Sequence, residues 1–407
     1  MQKEKYTSTT VYSEVSVEES EIVSFNKYDK TVRSFRVYED GFVGIHYQQG
    51  EMSDKEGYEK AEKNLELKRP YPFELSGGKG ELDKTEKILS DADLMKKARK
   101  ELAYLKRTYP DFTYQGSVFC TKTIQAQENS AGMNYSSTDG YNGIGFSFKH
   151  KDSKDISDGY FSINMRTYSS AKFRRMADNY LANYTKMVEL PEDLIIMMPD
   201  WEFSGNLMSE LNAEKLALGT SLLTGKVGQK VFADGLTICH NVTKKNLWMS
   251  TFWDAEGFVP KSGRLCYIRN GKILRGFADK RIAAKYKAEY TGSAYQNYSD
   301  IPQNGWIKTR ITPVQKTPKQ ILEEMGGKLA VVPVQYSGGG FKEKGDYAMP
   351  VQMGYLTDGE KILGRVPLFT MRSNLFDIFG KDFLGVSKYS PLWNASMMLV
   401  RMEKGKL

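Results

Sequence analysis

Residues 253–292 read WDAEGFVPKSGRLCYIRNGKILRGFADKRIAAKYKAEYTG, and they place an acidic turn, a hairpin and a helix within one short stretch. Asp254, Glu256 and Gly257 form the polar turn. Arg264 to Arg269 and Lys272 to Leu274 then flank Asn270-Gly271, a dipeptide whose ready access to positive φ suits a two-residue type I′ hairpin. Beyond the hairpin, Phe277, Ile282 and Tyr286 fall near helical spacing, which predicts a short amphipathic helix stopping at Thr291-Gly292.

Around this stretch lies a chain of 407 residues, too long for one ordinary core. We expect two domains, an N-terminal α+β domain over 1–190 and a mostly-β C-terminal domain over 191–407, with Pro191 at the boundary. Hydrophobic residues at 40% and charged residues at 27% exclude disordered and membrane-embedded classes. The longest suspicious apolar run, Leu194 to Met198, has the size of a buried strand rather than of a bilayer span. The opening MQKEKYTSTT lacks the apolar core of a signal peptide, so a cytoplasmic protein is expected. Three scattered cysteines, Cys120, Cys239 and Cys266, argue against a disulfide framework and for a reducing compartment. The net charge of +8 is a small difference between 58 basic and 50 acidic side chains. It permits a nucleic-acid partner without implying one.

Along the chain, residues 10–50 alternate with β-branched residues and predict a meander with turns at Asn26 to Lys30 and at Asp40-Gly41. Ser53 and Glu56 have capping-box spacing for a helix carrying Tyr58, Ala61 and Leu65 on one face. Ser90 caps a second helix buried through Leu94, Ala98, Leu102 and Leu105, whose basic opposite face reads as solvated surface. Alternation from Phe112 to Met165 predicts hairpins on a second sheet. A helix is expected over Lys172 to Val188, with Phe173, Met176, Ala177, Tyr180, Leu181, Tyr184 and Met187 inward. In the second half, Thr317-Pro318 opens a helix and Gly326 closes it. Glycine-separated strands follow to the C-terminus.

Chemistry-bearing patterns are sparse. His46, His150 and His240 each sit in or beside a strand-like segment, and none has the helical partner that sets two imidazoles on one metal. Cys239 and His240 are adjacent, but neighbouring strand residues point to opposite faces. Cys239 therefore reads as buried packing. TGKVG at 224–228 fails as a phosphate loop because Val follows Lys where a hydroxyl should stand. Asp254 and Glu256 would act as an acid/base pair if one were buried, although such a pair is more often a hydrated turn. Gly345 and Asp346 lie in a flexible stretch that a ligand chain could approach.

Taken in order, VRSFRVYEDGFVGIHY (32–47), Asn129-Ser130 with Gly132, TGKVGQKVFADGLTI (224–238), DAEGFVPKSG (254–263), IRNGKI (268–273), EYTGSA (289–294), GDYAMPVQMGYLTDGEKI (345–362) and Asn374-Leu375 resemble the TldD/PmbA (TldE) family. Members of that family are described as modulators of DNA gyrase and as peptide-maturation proteases. The resemblance covers nearly the whole chain; the ordered set carries it, rather than any one motif. It implies that a TldD-type subunit would bear zinc on an HExxxH helix upstream of TGKVGQK, with a cysteine near the C-terminus. Here residues 200–221 hold no histidine, and no cysteine follows Met371. The chain thus resembles the PmbA/TldE type, without catalytic residues or cofactor of its own, zinc being expected in a TldD-type partner. The same resemblance implies a two-domain α+β fold, with large mixed or antiparallel sheets flanked by helices, and a dimer that holds unfolded peptide, with Asp254, Glu256, Gly257, Thr291, Gly292, Gly345 and Asp346 shaping an interface or peptide chamber. Membrane association is not expected, and nucleic acid is a secondary reading suggested by the gyrase description. A rearranged zinc site using His46, His150 or His240 is the other alternative.

Overall fold

Two long strands start the fold: β1 (Gln2–Glu18) and β2 (Glu21–Glu39). They are joined by Glu19 and Ser20, both at positive φ. The expected turn at Asn26 to Lys30 is instead the middle of β2, paired residue for residue with β1. Its polar side chains reflect an exposed ribbon, not a reversal. Then come β3 (Phe42–Gln49), α1 (Asp54–Lys63), β4 (Arg69–Pro70), β5 (Gly78–Asp83), α2 (Asp91–Thr108), β6 (Phe112–Asn129), β7 (Met133–His150), β8 (Gly159–Met165) and α3 (Ser170–Leu181). The hydroxyls of Ser53 and Ser90 accept the Glu56 and Asp93 N–H groups, as the sequence predicts for helix caps. The computed structural model describes residues 1–390 and 393–405.

All eight of these strands share one sheet, ordered β4-β3-β2-β1-β6-β7-β5, with β8 also on β7. The expected second sheet is therefore a continuation of the first. Physically, β1 is long enough to present its other edge to β6 from Glu4 to Val17. Val15, Val118, Ile144 and Ile163 then lie side by side across four strands, and all are fully buried in the cluster that contains α2 and α3. Helix α3 ends at Leu181 rather than at Val188. Tyr184 remains in the core, but Met187 is exposed, because the chain there bridges to Arg365 as extended backbone.

The second half contributes β9 (Leu194–Pro199), α4 (Trp201–Glu210), α5 (Ala213–Leu218), β10 (Ile238–Asn241), β11 (Arg264–Arg269), β12 (Lys272–Ile273), α6 (Lys280–Tyr286), β13 (Ala294–Tyr295), β14 (Gln303–Asn304), β15 (Thr309–Ile311) and α7 (Pro318–Glu324). It ends with β16 (Ala330–Tyr336), β17 (Gly340–Phe341), β18 (Asp346–Thr357), β19 (Ile362–Val366), β20 (Phe369–Asn374), α8 (Leu375–Phe379), β21 (Phe383–Val386) and β22 (Met397–Gly405). Strands β16, β9, β22, β20 and β18 pair in succession, and β18 returns to β16, closing a five-strand ring. Closure explains the unbroken run LIIMM. Leu194, Ile196 and Met198 enter one core, whereas Ile195 and Met197 join the cluster that α2, α3 and the first sheet also build. Both faces are covered, so no polar alternation survives.

A smaller sheet, β12-β11-β10-β15, carries the Asn270-Gly271 hairpin as expected, with positive φ at both residues. Cys239 and Cys266 stand opposite each other on β10 and β11 and form a disulfide, which corrects the expectation of unpaired cysteines. Their separation of 27 residues hid a register that only strand pairing creates. Among the described residues, no helix is long and apolar enough to cross a membrane.

Candidate functional site

The 253–292 stretch begins against the first sheet, where Trp253 packs with Met133 and Tyr135, whereas Tyr267, Ile268, Ile273 and Phe277 enter the core of the second half. Trp253 is buried, donates its indole N–H to Gln127 Oε1 at 2.8 Å and stacks on Tyr135 with ring centroids 5.4 Å apart. Gln127 returns its amide N–H to the Ala255 carbonyl at 3.0 Å. These bonds draw Asp254 and Glu256 inside, to 2% and 4% exposure, so the hydrated-turn reading does not hold.

Each carboxylate is held differently. Asp254 Oδ1 accepts the N–H groups of Glu256 (2.9 Å) and Phe258 (2.7 Å), and Oδ2 accepts that of Ala294 (3.1 Å). Burial raises its pKa, while the backbone donors favour the ionised form. Glu256 accepts the Tyr71 hydroxyl at 2.8 Å on Oε1 and the Lys280 N–H at 3.0 Å on Oε2. Burial, and after it the charge of Asp254, push Glu256 above the usual carboxylate range. The two charges repel each other, which favours one proton on the pair, and the three backbone N–H groups on Asp254 favour its ionised form over that of Glu256. With their oxygens committed to protein donors, the two acids act as a latch joining the 254–258 turn, α6 and the Tyr71 loop.

The helix expected to stop at Thr291-Gly292 starts later and ends sooner. Asp279 caps α6 by accepting the Ile282 N–H at 2.8 Å, and Lys287, at positive φ, terminates it. Phe277 precedes it in extended chain. Thr291 and Gly292 are buried beside the acid pair nonetheless. Thr291 Oγ1 accepts the Ala278 N–H at 2.8 Å and is 2.8 Å from Ser293 Oγ. Gly292 has φ +63, and a Cβ there would come within 1.9 Å of the Phe258 ring; Gly257, at φ +80, faces Met133 in the same way. Both are glycines of close packing. The remaining two predicted residues lie elsewhere. Gly345 turns between Lys342 and Leu375, and exposed Asp346 accepts the Asn374 amide at 3.0 Å on the rim of an open groove of about 650 Å³. That groove is charged on both sides, by Lys342, Arg372, Lys381 and Arg401 against Asp377 and Glu403.

Sequence reasoning missed Tyr71, Asp279 and Lys280. Of these only Asp279, an Asp immediately before Lys280-Arg281-Ile282, carried a helix-start signal. It also missed the buried pair of Arg36 and Glu4 at 3.0 Å, in which Arg36 Nη2 further donates to the Asn297 and Asp300 carbonyls at 2.8 and 3.1 Å. This pair clamps β1 and β2 onto the second half.

The donor set does not fit zinc. His46, His150 and His240 stand on β3, β7 and β10, and Cys239 is consumed by its disulfide. His240 is fully buried and pushed down to about 3, chiefly by burial and then by Lys308. Among the described residues, no three His, Cys, Asp or Glu side chains converge as a metal site would require.

Residues 201–395 match the PmbA/TldA metallopeptidase C-terminal domain. An uncharacterized protein of Methanocaldococcus jannaschii is 25% identical over 179 residues, and the match spans 43% of this chain and 41% of that relative. The fold is similar to that of TldE from Thermococcus kodakarensis, with a TM-score of 0.77 at 17% identity over 99% of this chain and 96% of that one. It is also similar to a proposed modulator of a DNA gyrase from Thermotoga maritima, with a TM-score of 0.77 at 20% identity over 99% and 95% of the two chains. A proposed modulator of DNA gyrase from Bacteroides thetaiotaomicron gives 0.78 at 13% identity over 99% and 94%. A metallopeptidase-related C-terminal domain of the PmbA/TldA type is thus matched over residues 201–395, and the whole chain shares the fold of these three structures.

Proposed function

We propose that this chain is the metal-free, PmbA/TldE-like subunit of a two-subunit peptide-processing protease, and that it holds unfolded peptide for a TldD-type zinc partner. The observation that carries this reading is a whole-chain likeness to TldE combined with histidines scattered over three separate strands. A tetrahedral zinc site with an open water position needs three converging protein ligands, and helix α4, upstream of TGKVGQK, has no histidine to offer.

Peptide capture by backbone pairing is supported by one free strand edge. Strand β3 pairs with β2 only from Val32 onward and the Gly50 N–H reaches the Thr31 carbonyl, so Glu21 to Lys30 has β1 as its strand partner and a free outer edge. Val23, Phe25 and Tyr28 are exposed along that edge. An extended peptide adding there would be bound through its main chain, which suits substrates of varied sequence. In the same reading Asp254, Glu256, Gly257, Thr291 and Gly292 support the interface from within, and Gly345 and Asp346 meet peptide or partner at the groove. The boundary near Pro191 would separate the peptide-holding half from the half that docks the partner. A cytoplasmic setting belongs to this reading as well. The test is to isolate the native complex and identify the second chain. Recovery of a subunit with an HExxxH helix is expected; recovery of this chain by itself, with chelator-sensitive peptidase activity, would overturn the proposal.

A further inference from the structure

We propose that a cavity of about 320 Å³ between the first sheet and the second-half loops is a binding site for a carboxylate group. Tyr6 of β1 and Gln125 of β6 form its sheet wall, Trp253 and Tyr295 supply aromatic sides, and Gln296 and Lys308 bring polar groups from the second half. None of these residues belongs to the acid latch, and the inference stands whether or not a zinc subunit is the partner.

Donors with bonding capacity to spare lie there. Lys308 donates to the Trp253 carbonyl, and an ammonium carries two further N–H groups. Asp254 also borders the cavity, but its oxygens already accept three backbone N–H groups. It serves as a fixed counter-charge behind the lysine. The Gln296 amide is buried at both Oε1 and Nε2, and neither atom has a partner among the described residues. Gln125 is already engaged, donating to the Tyr6 hydroxyl at 2.6 Å. Lys84, the nearest other cation, is spent on Asp139 at 3.2 Å and on the Ser250 carbonyl at 2.8 Å. His240, buried near Lys308, adds no negative charge.

A single ammonium beside an unpaired amide N–H, walled by aromatic rings, matches one carboxylate on a short apolar stem. Two oxygens would take the Lys308 and Gln296 donors as charge-assisted bonds. A phosphate would need more cations than the cavity has, and a neutral group would forgo the charge-assisted bond that the ammonium offers. The carboxylate could come from a peptide C-terminus or from a free small acid, and the volume suits either, at the lower end of small-molecule pockets.

The full chain is titrated calorimetrically with N-acetyl-dialanine, with its C-terminal amide and with propionate. The free acid is expected to bind at least ~10-fold tighter than the amide, the loss that a forfeited charge-assisted bond predicts. Propionate binding as well as the dipeptide identifies a free acid as the source, and much weaker propionate binding identifies a peptide terminus. Lys308→Met is expected to abolish the preference for acid over amide, and Gln296→Leu to weaken acid binding several-fold. Equal binding of acid and amide to the wild-type chain, or no binding of either at about 10 mM, overturns the proposal. So does a folded Lys308→Met chain that keeps the preference. The wild-type comparison decides the matter even if the variant fails to fold.

Discussion

Replacing Glu256 by Gln tests whether the acid latch holds a proton. Glutamine keeps the shape: its oxygen can accept the Lys280 N–H and its amide can donate to the Tyr71 hydroxyl, as a protonated carboxyl would. The pKa of Glu256 is raised in the folded chain by burial and by Asp254. Its stabilising contribution is therefore complete below the unfolded value, about pH 4.3, and is lost as pH rises through the folded value. Each pH unit between the two values corresponds to about 1.4 kcal/mol. Relative to wild type, Glu256→Gln should be near neutral at the acid end of the stable range and gain on the order of 1–3 kcal/mol by pH 8. Asp254→Asn should behave differently, because an amide cannot accept all three backbone N–H groups. It should lose about 1–3 kcal/mol at every pH. Urea unfolding midpoints measured from pH 5 to pH 8 read both effects. If the gap between wild type and Glu256→Gln stays flat with pH, or if the variant is the less stable at pH 8, the proton is not on Glu256.

Two further perturbations probe the contacts between the halves. Arg36→Met leaves Glu4 buried opposite an apolar group and should cost about 3–5 kcal/mol; the double variant with Glu4→Met should recover part of it, and a double-mutant cycle in urea measures the difference. Gly292→Ala should cost about 1–2 kcal/mol from its positive φ and about 1–3 kcal/mol more from overpacking on Phe258; a melting temperature within a degree of wild type would show that the loop simply moves aside.

Local chemistry made parts of this fold legible. The Asn270-Gly271 hairpin, the Ser53 and Ser90 caps and the Thr317-Pro318 helix start each depend on residues within a few positions of one another. Non-local pairing did not show in the sequence. Nothing in residues 112–129 states that they lie beside β1, and the polar run Asn26 to Lys30 looks like a turn because a solvent-exposed ribbon and a turn use the same residue types. The site divides likewise. Asp254, Glu256, Thr291 and Gly292 do come together, yet their burial depends on Trp253 meeting Gln127, a contact across 126 residues. Lys308 and Gln296 carry no motif and become notable only where the cavity collects them. The pairing of Cys239 with Cys266 was invisible for the same reason: strand register, not spacing, sets them face to face.

The central claim is that this chain works without a metal of its own, and the zinc content of the purified chain tests it most directly. Elemental analysis after saturation with zinc and gel filtration should find no stoichiometric metal, and cleavage of an unfolded peptide should appear only when a TldD-type subunit is added, disappearing with chelator. One zinc per chain together with chelator-sensitive cleavage by this chain alone would contradict the account.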